Sequence, residues 1–216
     1  MSDRNIGTAV ENAKNNTNKL QNDSVQCREN SDEAGMQKCD QKFTVLWDKQ
    51  LNENYKALTS SLSPDGKALL QDAERKWIAF DNTELGMGKH MRSPAAGIFD
   101  KEELIADRTK QLLSRFGKDD LPDHVPDLDS IDKRLNTTYQ QVKANLSPEQ
   151  QKDLVASERK WVAFKDAEFK LIDHLNPQPE DGGRNVRNTV EKAQLLLDRD
   201  RELRILAADI GRPANK

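Results

Sequence analysis

A chain of 216 residues, 35% hydrophobic and 33% charged, has room for one sizeable domain or two small ones and carries enough charge for solubility. The formal charge of -3 is spread along the chain and the few aromatic residues are not interleaved with basic clusters, which argues against nucleic acid as a partner. No stretch approaches the roughly 18 to 20 consecutive apolar residues of a transmembrane helix.

The opening, MSDRNIGTAVENAKNNTNKLQNDS, is polar, rich in asparagine and without the apolar core of a signal peptide, so residues 1–24 are expected to form a flexible segment. Such a start fits a cytoplasmic protein as written, or a mature exported protein whose leader has been replaced by a Met. Cys27 and Cys39 follow, twelve positions apart, a spacing that suits neither a C-x-x-C redox pair nor a four-ligand zinc site. Pairing with each other is the simplest reading, although two reduced thiols would give the same count.

Apolar residues then recur in steps of three and four, at Met36, Cys39, Phe43, Trp47, Leu51, Tyr55, Leu58 and Leu62, predicting a helix with one buried face. Leu-Ser-Pro ends it: Ser63 can cap a second helix whose first turn holds Pro64. That helix stops at GMGKHMRSPAAG, and a third runs from near Asp100 through Leu104, Ile105, Leu112, Leu113 and Phe116.

After the connector, at 118–126, the pattern starts again. Leu51, Tyr55, Leu62, Ser63, Pro64, Glu74, Arg75, Lys76, Trp77, Ala79, Phe80, Glu84 and His90 each meet an identical residue 84 positions later, without a gap. In this second copy Ser147 and Gln150 form a capping-box pattern, NPQPEDGGR breaks the second helix, and the third stops before Gly211. Strand alternation is absent. The expected fold is all-α: two tandem three-helix repeats, 25–117 and 127–216, packed as a helical bundle.

On a helical wheel Leu70, Ala73, Trp77, Phe80 and Glu84 share one stripe, and Leu154, Ser157, Trp161, Phe164 and Glu168 repeat it. Trp77, Phe80, Trp161 and Phe164 are therefore expected in the core, and each glutamate points inward with them. A buried carboxylate needs a partner. The third helices repeat Asp-Arg, so Arg108 is expected to pair with Glu84 and Arg199 with Glu168, tying helix two to helix three in each copy. The enzymatic alternative makes each glutamate a general acid, but nothing in the sequence supplies a cleft or a second carboxylate. His90 and His174 stand six positions from these glutamates, on another side of the helix, so no metal site is expected.

At the block SPEQQKDLVASERKWVAFKDAE the sequence resembles the LprI-type family, related to a bacterial lysozyme-inhibitor lipoprotein domain. Cys27 and Cys39 match its cysteine start. Arg75, Trp77, Phe80 and Glu84 match its middle motif, and Arg108, Thr109 and Leu112 its last. Arg159, Trp161, Phe164, Asp166, Glu168, Arg199 and Leu203 repeat the match in copy two. Where the family often carries a cysteine after the motif glutamate, this chain has Leu85 and Phe169.

The resemblance implies a periplasmic binding protein without catalytic residues or cofactor, whose partner is a lysozyme-like cell-wall hydrolase. A tandem form would suit an immunity protein against a secreted type VI effector. The loops after the second helices are the expected contact surfaces, with Lys89, His90 and Arg92 on one and Asn176, Gln178, Glu180 and Asp181 on the other. Other readings are an envelope or stress-related protein-binding module with no hydrolase target, and an enzyme using Glu84 or Glu168.

Overall fold

The Leu-Ser-Pro breaks mark helix ends in the structure, a computed structural model that describes residues 3–91, 101–114, 125–177 and 185–210, whereas Gly86 and Gly88 are taken up within a helix. Side chains are described within these ranges except at 3–10, 89–91 and 209–210. Among the described residues seven helices form: α1 (Asp3–Glu29), α2 (Glu33–Ser61), α3 (Pro64–Met91), α4 (Lys101–Ser114), α5 (Leu128–Ala144), α6 (Pro148–Leu175) and α7 (Val186–Ile210). No strand occurs among the described residues. The class is all-α, as the periodicity predicts.

Local chemistry accounts for the starts. Asp32 caps α2 by accepting from the Gly35 amide at 2.8 Å. At α6 the capping box is complete: the Gln150 amide donates to Ser147 Oγ at 3.3 Å, and the Gln150 side chain accepts from the Ser147 amide at 3.1 Å.

The N-terminal segment corrects the sequence reading. Residues expected to be flexible form α1, which packs against both α2 and α4. Its buried face is made of small polar residues rather than leucines, with Thr17 and Ser24 both buried, so no apolar stripe advertises it. Polar and covalent ties hold it instead. Cys27 and Cys39 form a disulfide with their Cα atoms 5.9 Å apart, closing the α1–α2 hairpin. Arg28 donates to Asp40 of α2 at 2.9 Å and to the buried Glu102 of α4 at 2.7 Å, and Ser24 also donates to Glu102 at 2.6 Å.

The compact units cut across the two copies. One comprises Met1–Ser63 with Asp100–Asp119, and so α1, α2 and α4; the other comprises Pro64–Phe99 with Asp120–Lys216, and so α3, α5, α6 and α7. The physical reason is visible in the packing. In each copy the first helix packs on the third, α2 on α4 and α5 on α7, whereas the second helices, α3 and α6, pack on each other. Copy one thus contributes its second helix to the unit that holds copy two.

The repeated first-to-third contact uses equivalent positions. In copy one Gln50 donates to Asn54 at 2.9 Å and Asn54 to the Thr109 carbonyl at 3.3 Å. In copy two Arg134, Thr138 and Asp200 stand at those three places, with Arg134 and Thr138 donating to Asp200 at 3.0 and 2.7 Å. The positions are equivalent, but the acceptor has changed from the Thr109 backbone carbonyl to the Asp200 carboxylate and the contact has become ionic.

Candidate functional site

The duplicated block lies where α3 meets α6. Leu70, Ala73, Trp77, Phe80 and Glu84 on the one helix, and Leu154, Ser157, Trp161, Phe164 and Glu168 on the other, are all buried, as the wheel predicts. Phe80 and Phe164 stack with ring centroids 6.2 Å apart and planes 8° from parallel. Because these two residues occupy the same position in the repeat, their mutual contact marks a local pseudo-two-fold axis, as in an isologous interface.

The ion pairing departs from the expectation of pairs within each copy. Arg199 of α7 donates to Glu84 at 2.8 Å, so the arginine of copy two holds the glutamate of copy one rather than Glu168. Its other nitrogens reach Glu158 at 2.7 Å and Glu202 at 2.8 Å. Ser157 Oγ also donates to the Glu84 carboxylate. The face of the guanidinium lies 5.1 Å from the Phe80 ring centroid, adding a cation–π contact. The crossed arrangement follows from the packing: α3 abuts α6 and α6 abuts α7, so Glu84 is delivered to Arg199.

Burial by itself disfavours the Arg199 cation, but Glu158, Glu84 and Glu202 outweigh it and hold its pKa well above the ordinary guanidinium value. Tyr139, on neighbouring α5, is pushed the opposite way from ionisation: burial, then the Glu158 charge, raises its pKa and keeps the phenol neutral. In copy one Arg108 is equally buried and donates to Gln111 at 3.2 Å, where copy two has Glu202. Ala73 stands in copy one where copy two has Ser157, so the hydroxyl that donates to Glu84 has no counterpart at that position of copy one.

This chemistry is that of a core fastening. Glu84 and Glu168 are 3% and 0% exposed, so both motif carboxylates lie within the packed core. Three participants escaped the sequence reading. Glu158 is the first residue of the ERKW block and falls on the boundary of the wheel; Glu202 lies three residues after Arg199, a neighbouring helical position; and Ser157 counts as an ordinary small core residue until Glu84 is placed beside it.

Of the expected contact residues, Arg92, Gln178, Glu180 and Asp181 lie outside the described residues. Lys89 and His90 fall in the last turn of α3, with their side chains outside the description. Asn176 is used internally. It caps α6, its side chain donating to the Ile172 carbonyl at 3.3 Å, and its own carbonyl accepts from Asn185 at 2.6 Å, which pins the two ends of the 177–184 segment together. Among the described residues no group of three or more His, Cys, Asp or Glu side chains is placed to hold a metal ion.

The model of the family described as "Lysozyme inhibitor LprI" matches residues 27–112 and again 126–203, one match to each copy. The chain belongs to the LprI lysozyme-inhibitor family. Both matches span their copy's tryptophan block and the arginine of its third helix. Among solved structures, an uncharacterized protein from Burkholderia thailandensis is similar at a TM-score of 0.66 and 19% identity, over 89% of this chain and 98% of that one, a likeness of fold. No curated protein matches the sequence.

Proposed function

We propose that this LprI-family protein is a periplasmic inhibitor of a lysozyme-like peptidoglycan hydrolase, serving as an immunity protein against a secreted type VI wall-degrading effector. The observation that carries the reading is the family match to both copies, combined with motif glutamates that are buried and, at Glu84, engaged by Arg199 and Ser157. The disulfide is compatible with an oxidising compartment. Inhibition of this kind needs a rigid body that loses little freedom on binding. The fastened α3–α6–α7 core supplies one, and the end of α3 with the segment after it, carrying Lys89, His90 and Arg92, and the segment after α6, carrying Gln178, Glu180 and Asp181, are proposed as the contact surface.

The test is co-purification with lysozyme-like hydrolases and candidate effector toxins, followed by clearing of a cell-wall suspension. Stoichiometric binding and loss of clearing activity are expected, and a Glu84→Gln, Glu168→Gln double variant that folds should inhibit as the wild type does. Failure to bind or inhibit any such hydrolase would sink the proposal.

A further inference from the structure

Helix α2 has two unlike faces. One, through Phe43, Trp47, Leu51 and Leu58, is buried, with α4 and α1 packed on the helix. On the opposite, exposed face Lys38, Lys42, Val45, Lys49, Asn52 and Lys56 follow one another in steps of four and three. From Lys38 to Lys56 is about five full turns, so these side chains form one straight line about 27 Å long. Val45, inside this line, is 68% exposed, and Leu46 beside it is 36% exposed.

The line holds four lysines and no carboxylate. Among the described residues Lys38, Lys42 and Lys56 have no ion-pair partner. Lys49 has Glu53, on one flank, at 3.9 Å, and Asp48, on the other, accepts from the Asn52 amide at 3.3 Å. Counting both flanks, four cations stand against two carboxylates between Lys38 and Lys56 on the exposed face. The helix fold does not require this pattern. At the equivalent exposed positions of α5, copy two keeps Lys133 and Asn136 but has Asp129 for Val45 and Gln140 for Lys56.

The kind of cation narrows the occupant. Helix α2 contains no arginine. Fixed carboxylates of a partner protein are matched best by the planar arginine fork, whereas lysine acts as a rotatable point charge on a flexible stem. A row of point charges around an exposed valine suits a fluid surface whose anions move to meet them. The lysine stems can lie along that surface while Val45 enters its headgroup boundary.

We propose that the Lys38–Lys56 face of α2 docks on an anionic phospholipid bilayer, with the helix lying along the membrane surface. Charge complementarity and the exposed Val45 name the occupant. The proposal does not depend on hydrolase inhibition: a chain that binds such membranes yet inhibits no hydrolase keeps this inference and loses the other.

The full-length protein would be sedimented with vesicles of phosphatidylglycerol and phosphatidylcholine in equal parts, and with vesicles of phosphatidylcholine alone. Binding to the mixed vesicles only is expected, falling as salt is raised. Lys42→Glu with Lys49→Glu should weaken it at least about tenfold. Lys152→Glu with Lys170→Glu makes the same charge change at exposed positions of α6 and should leave binding as in the wild type. All four lysines are exposed, so helical circular dichroism should be unchanged in both double variants. Failure to bind the mixed vesicles, equal binding to both kinds, or equal loss in the two double variants overturns the proposal. So does capture on polyglutamate in place of vesicles, which would assign the face to an acidic polypeptide.

Discussion

Arg199 shows how one side chain can decide whether a carboxylate is chemistry or scaffold. Glu84 sits beside Trp77 and Phe80 on a hydrophobic stripe, which in isolation resembles a tuned acid in an apolar pocket. With the guanidinium 2.8 Å away and the Ser157 hydroxyl on the same oxygen, its carboxyl group is engaged by fixed donors within the core. Removing one partner of such a cluster costs more than the cluster is worth, because the remaining charges stay buried. Arg199→Met should therefore lower unfolding free energy by about 3–5 kcal/mol. Arg199→Lys should recover only part of this, since an ammonium cannot fork to three carboxylates at once. Urea unfolding monitored by tryptophan fluorescence reads both; a methionine variant as stable as wild type would remove the cluster from the account of the fold.

At the scale of the helix, the sequence was a good guide wherever burial is apolar and a poor one where it is polar. The stripes of α2, α3, α5 and α6 are legible because leucines and aromatics recur at helical spacing, and Leu-Ser-Pro punctuates them. Helix α1 was missed because Thr17 and Ser24 carry its buried face, and because what fixes it lies on other helices: Cys39 and Asp40 on α2, Glu102 on α4. The disulfide and the Arg28–Glu102 pair are then separable supports of α1. Cys27→Ser with Cys39→Ser reopens a loop of twelve residues, a loss of about 3 kcal/mol in the chain-entropy account. Hydrogen exchange should show the loss confined to α1 and the start of α2, with α5 and α7 protected as before. Uniform loss across all helices would mean that α1 is integral to global folding rather than a strapped-on element.

For the whole molecule, duplication creates an ambiguity that no reading of one sequence resolves. Residues i and i+84 are nearly alike over the tryptophan block, so a pairing within a copy and a crossed pairing between copies produce the same pattern of stripes and motifs. The crossed solution was chosen: α3 pairs with α6, Phe80 stacks on Phe164, and Arg199 holds Glu84. A contact between equivalent residues is also what a symmetric dimer of single repeats would make. The fragment 127–216 retains α5, α6 and α7 but lacks α3, leaving the Leu154, Trp161 and Phe164 stripe of α6 without its cover. A second copy of the fragment can supply that cover with its own α6, because Glu168 stands at the position of Glu84 and can take up Ser157 and Arg199 of the other molecule. The fragment should therefore run in sedimentation equilibrium as a dimer that dissociates on dilution with loss of helical circular dichroism. Phe164→Asp should shift it to an unfolded monomer. A stably folded monomeric fragment would show instead that copy two completes its core alone, and that the α3–α6 pairing is an addition to the repeat rather than the interface around which it was built.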